Sequence, residues 1–155
     1  MTERAVIPST VGRLLIEAEE GGIVRVARCD QPLLVPEGAL TACCCAQLNE
    51  YFTGARTVFD LPLRLKGTAF QRSVWQALCQ IPYGETRSYG DIAAAIGNPG
   101  GMRAVGQANH VNPVLIIVPC HRVIRADGSL GGYGSGTEVK QYLLSLEKRR
   151  ALATY

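Results

Sequence analysis

The sequence predicts an α/β (α+β) fold: a small N-terminal β-sheet with one helix, then a mostly helical C-terminal domain that contains a helix-turn-helix. Two observations carry this prediction. Apolar runs flank Glu20-Gly21-Gly22, as the strands of a hairpin flank their turn. After Lys66-Gly67, capping residues, glycines and prolines divide the chain into short helical segments. We therefore expect an N-terminal structural domain of residues 1–66 and a C-terminal domain of residues 67–155.

The N-terminal domain is predicted from three segments. The runs Leu14–Glu19 and Ile23–Arg28 form the two strands of the hairpin. Residues from about 36 to 52 form a helix, because apolar side chains recur there at helical spacing, at Leu40, Cys44 and Leu48. Residues 57–63 are expected to be a strand or extended chain.

The C-terminal domain begins with two well-marked helix starts. Thr68 can cap a helix with one apolar face, made of Phe70, Val74, Trp75 and Leu78. Ser88 and Asp91 have the spacing of a capping box, and Gly97 can end the helix that they open. After a turn at residues 98–101, residues 102–110 form a second helix. Two helices across a four-residue turn fit a helix-turn-helix, although most helical hairpins bind no nucleic acid.

The remainder of the chain holds three further features. A buried apolar run, Leu115–Val118, leads into Pro119-Cys120-His121-Arg122. A glycine-rich loop follows at Gly128–Gly136. A last helix begins near Thr137 and turns apolar side chains inward, namely Val139, Leu143 and Leu146.

Charge is distributed unevenly between the two predicted domains. The chain of 155 residues has a formal net charge of +3. Residues 1–60 carry five Lys or Arg and eight Asp or Glu, whereas residues 61–155 carry eleven and five. A basic half raises the question of a polyanionic partner. On charge alone, however, an ordinary solvated surface is the better explanation.

The six cysteines indicate a reducing, intracellular environment rather than a disulfide framework. Cys43, Cys44 and Cys45 are consecutive in a predicted helix, where neighbouring side chains diverge by about 100°. We expect mostly buried, inert thiols, with a structural zinc site as the minor alternative. The N-terminus lacks the pattern of a secretory signal, and the longest apolar run, Val114–Val118, is too short to span a bilayer.

Cys120 is the candidate nucleophile. It follows a buried apolar run and a proline, and His121 and Arg122 follow it directly. Positive neighbours would lower the pKa of its thiol below the free value of about 8.5. His121 would then act as a base through a water, because adjacent side chains seldom touch. For an isolated Cys-His pair, the alternative of a buried thiol and a core histidine is the better one.

The surrounding motifs change that preference. The octet Ile117–Ile124 resembles the active-site signature of the O6-alkylguanine-DNA alkyltransferases, also called methylated-DNA–protein-cysteine methyltransferases. Further matches occur in the family's order and spacing, at Gly84–Tyr89, Gly97–Pro99, Arg103–Gly106, Asn112-Pro113, Gly132-Tyr133 and Lys140–Glu147. The resemblance covers residues 68–150 closely and the N-terminal part loosely, through Leu48–Phe52.

The resemblance implies that the protein flips O6-alkylguanine out of DNA and transfers the alkyl group irreversibly to Cys120, once per molecule. O4-alkylthymine is a further potential substrate. His121 would deprotonate Cys120 through a water, and Glu147 would hold and polarise His121. Tyr89 would donate to N3 of the guanine. Asn112 would tie the helix-turn-helix to the segment that carries Cys120.

The resemblance also implies how the base and the DNA are held. The backbone carbonyls of Cys120 and Val123 would accept from the exocyclic amine, and the Tyr133-Gly134 loop would form one pocket wall. Arg103 would fill the stack that the flipped base leaves, with the helix lying in the minor groove. The helix residues expected to contact DNA are Met102, Arg103, Ala104, Gly106 and Gln107. Small residues at such spacing fit tight helix packing equally well.

Other expectations follow from the resemblance and from its departures. We expect no cofactor, no metal, no membrane, double-stranded DNA as the partner, a monomer and a cytoplasmic location. Ser135 replaces a glycine common in the family, which puts bulky alkyl groups in doubt, and Gly100-Gly101 weakens the start of the second helix. Two alternatives stay open: a sensor of alkylated guanine without chemistry, and a cysteine hydrolase using Cys120, His121 and Glu147.

Overall fold

The protein is a mixed α+β structure in which a sheet precedes a set of helices, and this confirms the predicted fold class. The computed structural model describes residues 2–133 and 136–153. The chain divides into two compact units. One consists of Met1–Lys66 with Pro113–Leu115, and the other of Gly67–Asn112 with Ile116–Tyr155.

The first unit is built on a three-stranded antiparallel sheet in the order β1-β2-β3. The strands are β1 (Thr2–Ile7), β2 (Arg13–Glu19) and β3 (Gly22–Cys29). The predicted hairpin is therefore confirmed, and its turn uses Glu20 and Gly21 with φ of 46° and 82°. The strand β1 was not predicted from the sequence. Its pairing partners lie in β2, in register from Thr2 with Glu19 to Ile7 with Leu14.

One helix and two extended segments complete this unit. Helix α1 (Ala39–Thr53) begins about three residues later than predicted, because Gly38 is its N-cap, and it ends at Gly54 with φ of 83°. Residues 57–63 form no named strand, and their only bridge among the described residues joins Leu63 to Ile23. Pro113–Leu115 also runs beside β3, where the Val26 amide donates to Pro113 O at 3.0 Å.

The second unit consists mainly of four helices, all of them predicted. They are α2 (Ala69–Leu78), α3 (Tyr89–Ala95), α4 (Met102–His110) and α5 (Thr137–Ala153). Thr68 and Ser88 cap α2 and α3 in capping boxes, with Gln71 and Asp91 as their partners. The helix-turn-helix is therefore formed by α3, the turn at residues 98–101 and α4.

Two small elements place the active-site segment. The parallel strands β4 (Arg87–Ser88) and β5 (Val123–Ile124), neither of which was predicted, pair with Ser88 opposite Ile124. A single 3₁₀ turn, Cys120–Arg122, immediately precedes β5. The core beneath them includes Trp75, whose indole N–H donates to Ala108 O at 2.9 Å and so fixes α2 against α4. Among the described residues, no helix has the length and apolar character needed to cross a membrane.

Candidate active site

Cys120 lies on the 3₁₀ turn and is 1% exposed. Asn109, in the last turn of α4, and Asn112, two residues beyond that helix, hold this turn and the segment before it. The Asn109 side chain donates to Cys120 O at 3.3 Å, and the Asn112 side chain donates to Val118 O at 2.8 Å. The helix-turn-helix and the thiol segment are thus joined by side-chain-to-backbone hydrogen bonds. Asn112 was singled out from the sequence, and Asn109 was not.

The electrostatic environment of Cys120 differs from the sequence expectation. Burial raises the pKa of the Cys120 thiol, and hydrogen bonds with Asn112 and Tyr133 and the charge of Lys140 partly oppose that rise. The expected source of a lowered pKa, the adjacent His121 and Arg122, was wrong. Both of those side chains turn towards Glu147 instead. Lys140 is the cation that acts on the thiol.

His121 and Glu147 form a buried pair. His121 Nε2 lies 2.6 Å from Glu147 Oε2, and the two side chains are 0% and 1% exposed. Burial favours a protonated Glu147, but the partners His121 and Arg122 outweigh it and lower the pKa of Glu147 to about 2. Burial also lowers the pKa of His121, although Glu147 opposes this. At neutral pH the pair therefore consists of a carboxylate and a neutral imidazole.

This pairing assigns the tautomer of His121. An ionised carboxylate only accepts, so Nε2 carries the hydrogen and Nδ1 carries the lone pair. Nδ1 is buried and has no hydrogen-bond partner among the described residues. The ring is consequently a base with one free nitrogen. Lys148, Arg149 and Arg150, the alternative explanation for Glu147, are exposed on the outer side of α5.

Arg122 is a member of this site that sequence reasoning missed. Its Nε lies 2.8 Å from Glu147 Oε1, and its Nη2 lies 3.1 Å from Glu147 Oε2. A third nitrogen, Nη1, donates to Ile81 O at 2.7 Å, and the guanidinium lies 5.7 Å from the centre of the Tyr83 ring. Arg122 therefore fixes both oxygens of Glu147. The sequence feature that could have identified Arg122 is its position within the signature octet Ile117–Ile124.

Lys140 is the second missed member. It is 0% exposed, and its Nζ donates to the carbonyls of Leu130 and Gly132 in the glycine-rich loop. Nζ also lies 5.9 Å from the centre of the Tyr89 ring. Burial lowers the pKa of Lys140 to about 8, against the opposing effect of Cys120. One buried cation thus anchors the loop and acts electrostatically on the thiol.

Tyr89 and five residues of α4 line a cavity of about 540 Å³. The α4 residues are Met102, Arg103, Gly106, Asn109 and His110. Burial raises the pKa of the Tyr89 hydroxyl, so Tyr89 stays protonated and can donate a hydrogen bond at neutral pH. A Cβ atom at Gly131 would lie 2.9 Å from the Tyr89 hydroxyl, and Gly131 has φ of 71°. The loop therefore approaches Tyr89 at a position where glycine is required.

The other predicted contact residues are placed as follows. Ala104 and Gln107 line a second cavity of about 790 Å³, beside the start of α2. Val123 and Tyr133 are both buried. Val123 follows the 3₁₀ turn that carries Cys120, and Tyr133 is a hydrogen-bond partner of Cys120. The carbonyl oxygen of Cys120 already accepts hydrogen bonds from the Val123 amide and from the Asn109 side chain. Gly134 and Ser135 lie outside the described residues.

The remaining cysteines are less buried than expected. Cys44 and Cys45 are buried, and burial raises their pKa values to about 12 and about 11. Cys43 and Cys79 are exposed and Cys29 is intermediate, so the expectation of mostly buried thiols was wrong for these three. Cys43 is exposed because consecutive residues of helix α1 point about 100° apart, so its side chain is directed away from that of the buried Cys44. The described residues contain no cluster of three or more His, Cys, Asp or Glu suited to a metal ion.

Comparisons with known proteins cover both units. The model for the DNA binding domain of 6-O-methylguanine DNA methyltransferase matches residues 69–149, and the model for the ribonuclease-like domain of that family matches residues 4–65. A methylated-DNA–protein-cysteine methyltransferase of Mycobacterium bovis is 64% identical over 107 residues, which cover 69% of this chain. That match spans 65% of the length of the M. bovis protein.

Two further comparisons extend over nearly the whole chain. A methylated-DNA–protein-cysteine methyltransferase of Methanosarcina acetivorans is 47% identical over 150 residues, covering 92% of this chain and 96% of that protein. The crystal structure of Mycobacterium tuberculosis OGT in complex with DNA has a TM-score of 0.88 and 48% identity, and covers 95% of this chain and 93% of that one. The predicted resemblance is confirmed: the chain belongs to the 6-O-methylguanine DNA methyltransferase family.

Proposed function

We propose that this protein repairs DNA by transferring the alkyl group of O6-alkylguanine to Sγ of its own Cys120, once per molecule. The observation that carries the proposal is the group of buried residues around Cys120. Lys140 supplies a positive charge, and His121, held by Glu147, supplies a base with a free Nδ1. Membership of the family supports the same chemistry.

The reaction starts when Cys120 loses its proton to His121 Nδ1, through a water. The thiolate attacks the alkyl carbon in line with the bond to O6. The S–C bond forms as the C–O6 bond breaks, and the electron pair of that bond passes to the guanine. Tyr89 donates a hydrogen bond to N3 and stabilises the charge that develops there. The purine takes up one proton, which balances the proton that the thiol released.

Cys120 remains alkylated because a thioether has no carbonyl for water to attack. This separates the proposed reaction from that of a cysteine hydrolase, whose acyl-enzyme is cleaved by water. An alkylguanine sensor of similar fold needs no nucleophile. Alkyl transfer therefore accounts for the nucleophile and its base, formed by Cys120, His121 and Glu147, whereas a sensor would not require them.

Recognition requires the base to leave the duplex, because a stacked guanine does not present its alkyl carbon to the thiolate. The exposed side of α4 would lie in the minor groove, and Arg103 would fill the vacated stack. The other residues of α4 expected to contact DNA are Met102, Ala104, Gly106 and Gln107. The Val123 carbonyl and the loop from Tyr133 to Gly134 would contact the flipped base. We further propose that the protein acts as a monomer, in the cytoplasm, on double-stranded DNA.

The proposal is tested by locating the transferred group. Wild type, Cys120→Ser and Cys79→Ser are each incubated with duplex DNA that contains O6-methylguanine, and their peptides are examined by mass spectrometry. The methyl group should appear on the peptide with Cys120 in wild type and in Cys79→Ser, and nowhere in Cys120→Ser. A methyl group on another cysteine, or none in wild type, would refute the assignment.

A further inference from the structure

The cavity beside Tyr89 is lined by two arginines, and the proposed function gives a role to only one of them. The described residues that line it include Arg103 from α4 and Arg125 from the loop after β5, and none of them is Asp or Glu. Neither guanidinium makes a hydrogen bond or an ion pair within the described part of the chain. Arg103 already has a proposed place in the DNA stack. Arg125 has none.

The fold places Arg125 next to Tyr89. In the parallel pair of β4 and β5, Ser88 lies opposite Ile124, and Tyr89 and Arg125 are the residues that follow these two. Parallel strands run in the same direction, so Tyr89 and Arg125 follow the two strands at the same end of the pair. The backbone of Arg125 is then fixed by a tight turn. Its amide donates to Ser129 O, and its carbonyl accepts from the Gly128 amide, both at 2.9 Å.

The neighbouring acid, Asp127, makes no ion pair with Arg125 among the described residues, although the charge of Arg125 helps to lower the pKa of Asp127. The carboxylate of Asp127 accepts from the Ser129 amide at 2.9 Å and from the Ser129 hydroxyl at 2.7 Å. The charge of Arg125 also acts in the cavity, where it lowers the pKa of Tyr89 against the rise caused by burial. An exposed guanidinium at the rim of a cavity without acids favours an anionic ligand.

We propose that Arg125 binds a phosphodiester group of the flipped nucleotide, so that the cavity recognises a nucleotide and not only a base. This inference rests on the proposed function. O6-alkylguanine itself is uncharged, and the permanent anion of a flipped nucleotide is its phosphodiester. The planar fork of arginine matches two phosphate oxygens at once, which a lysine ammonium does not.

The test compares Arg125→Gln and Arg125→Lys with a matched control, Arg149→Gln, which removes the same charge from an exposed position on α5. Binding to duplex DNA with O6-methylguanine is measured as a function of salt. Arg125→Gln should bind on the order of tenfold more weakly at 0.1 M salt and reduce the log–log salt slope by about 0.9, the value for one phosphate. Arg125→Lys should restore the slope and part of the affinity.

Two further measurements separate a phosphate contact from a structural role. Methyl transfer from free O6-methylguanine, which has no phosphate, should slow much less in Arg125→Gln than methyl transfer from duplex DNA. Uncharged methylphosphonates are then placed one at a time beside the lesion. One position should weaken binding by wild type and have no added effect in Arg125→Gln.

The inference is overturned if Arg125→Gln binds duplex DNA as Arg149→Gln does, or if every methylphosphonate weakens that variant as much as wild type. Equal losses on duplex and free base would also overturn it, because they indicate a damaged fold. Failure of the proposed function is a different result. Wild type itself would then transfer no methyl group from either substrate.

Discussion

His121 Nε2 lies 2.6 Å from Glu147 Oε2, and neither side chain is more than 1% exposed. The short contact fixes the ring so that Nδ1 faces away from the carboxylate with its lone pair free. Arg122 holds the same carboxylate through both of its oxygens. The base that the proposed reaction needs is therefore made by three residues, of which only two were recognisable from sequence.

Glu147→Gln should slow methyl transfer by about 10²-fold or more, because His121 loses the partner that sets its tautomer. It should also reduce the free energy of unfolding by about 3–5 kcal/mol, because Arg122 stays buried without an anion. Transfer rates and urea unfolding measure the two effects. Glu138→Gln, an exposed position at the start of the same helix, is the control and should change neither.

The same carboxylate predicts how stability depends on pH. The pKa of Glu147 is about 2 in the folded protein and ordinarily 4.5. A carboxyl group with a lowered folded pKa stabilises the protein above its unfolded pKa and loses that effect as the pH falls through the folded value. The free energy of unfolding should thus fall between about pH 5 and pH 2. A Glu147→Gln variant with an unreduced pH dependence would contradict this account.

Lys140→Met should move the rising part of the transfer-against-pH profile to higher pH. The reason is that Cys120 loses the positive charge that opposes the effect of burial on its pKa. At neutral pH the rate should fall about tenfold for each pH unit by which the profile moves. Transfer from the free base is measured over a pH series, with Lys148→Met as an exposed control on α5. A lower rate at every pH, with the profile unmoved, would leave Lys140 only as a loop anchor.

Gly131→Ala should impair the site through Tyr89. The added Cβ would lie 2.9 Å from the Tyr89 hydroxyl, and both duplex and free-base transfer should slow. Gly128→Ala is a close control, because Gly128 also has positive φ, 88°, but its Cβ would have no neighbour within 4 Å among the described residues. Both variants carry a backbone strain of about 1 kcal/mol. Equal transfer rates in the two variants would show that Gly131→Ala does not act through its contact with Tyr89.

Arg103→Ala should slow transfer from duplex DNA severely and transfer from the free base much less, because only the duplex requires a base to be flipped. Arg103→Lys should rescue partially, since an ammonium lacks the planar group that stacks on bases. Rates are measured for all three proteins at two salt concentrations. If Lys serves as well as Arg and salt erases the difference, Arg103 is a phosphate contact. Equal slowing of both substrates would show a structural role.

Elements marked by local signals were predictable from the sequence. The capping boxes at Thr68 and Ser88 depend on a partner three residues away, and α4 occupies the predicted residues 102–110. Strand β1 was missed because its pairing is with β2, and its Glu3 and Arg4 carry charge rather than a clear apolar pattern. Strands β4 and β5 are two residues each, too short to leave a pattern.

The site was predictable where its motif is contiguous and less so where it depends on buried charge. Arg122 and Lys140 look like surface residues by type, because charged side chains are seldom fully buried unless paired. Their partners lie far along the chain: Glu147 for Arg122, and the carbonyls of Leu130 and Gly132 for Lys140. Only the fold brings these groups together, and it also reverses the expected role of Arg122, which faces Glu147 rather than Cys120.

The central claim is that each molecule acts once, and counting repaired guanines tests it most directly. A known amount of protein is mixed with a large excess of duplex DNA that contains O6-methylguanine, and restored guanine is measured until the reaction stops. The count should reach one per protein molecule and stay there, with Cys120→Ser at zero. A count that continues to rise would show hydrolytic turnover, and a count of zero for wild type would show a sensor; either result would contradict the account.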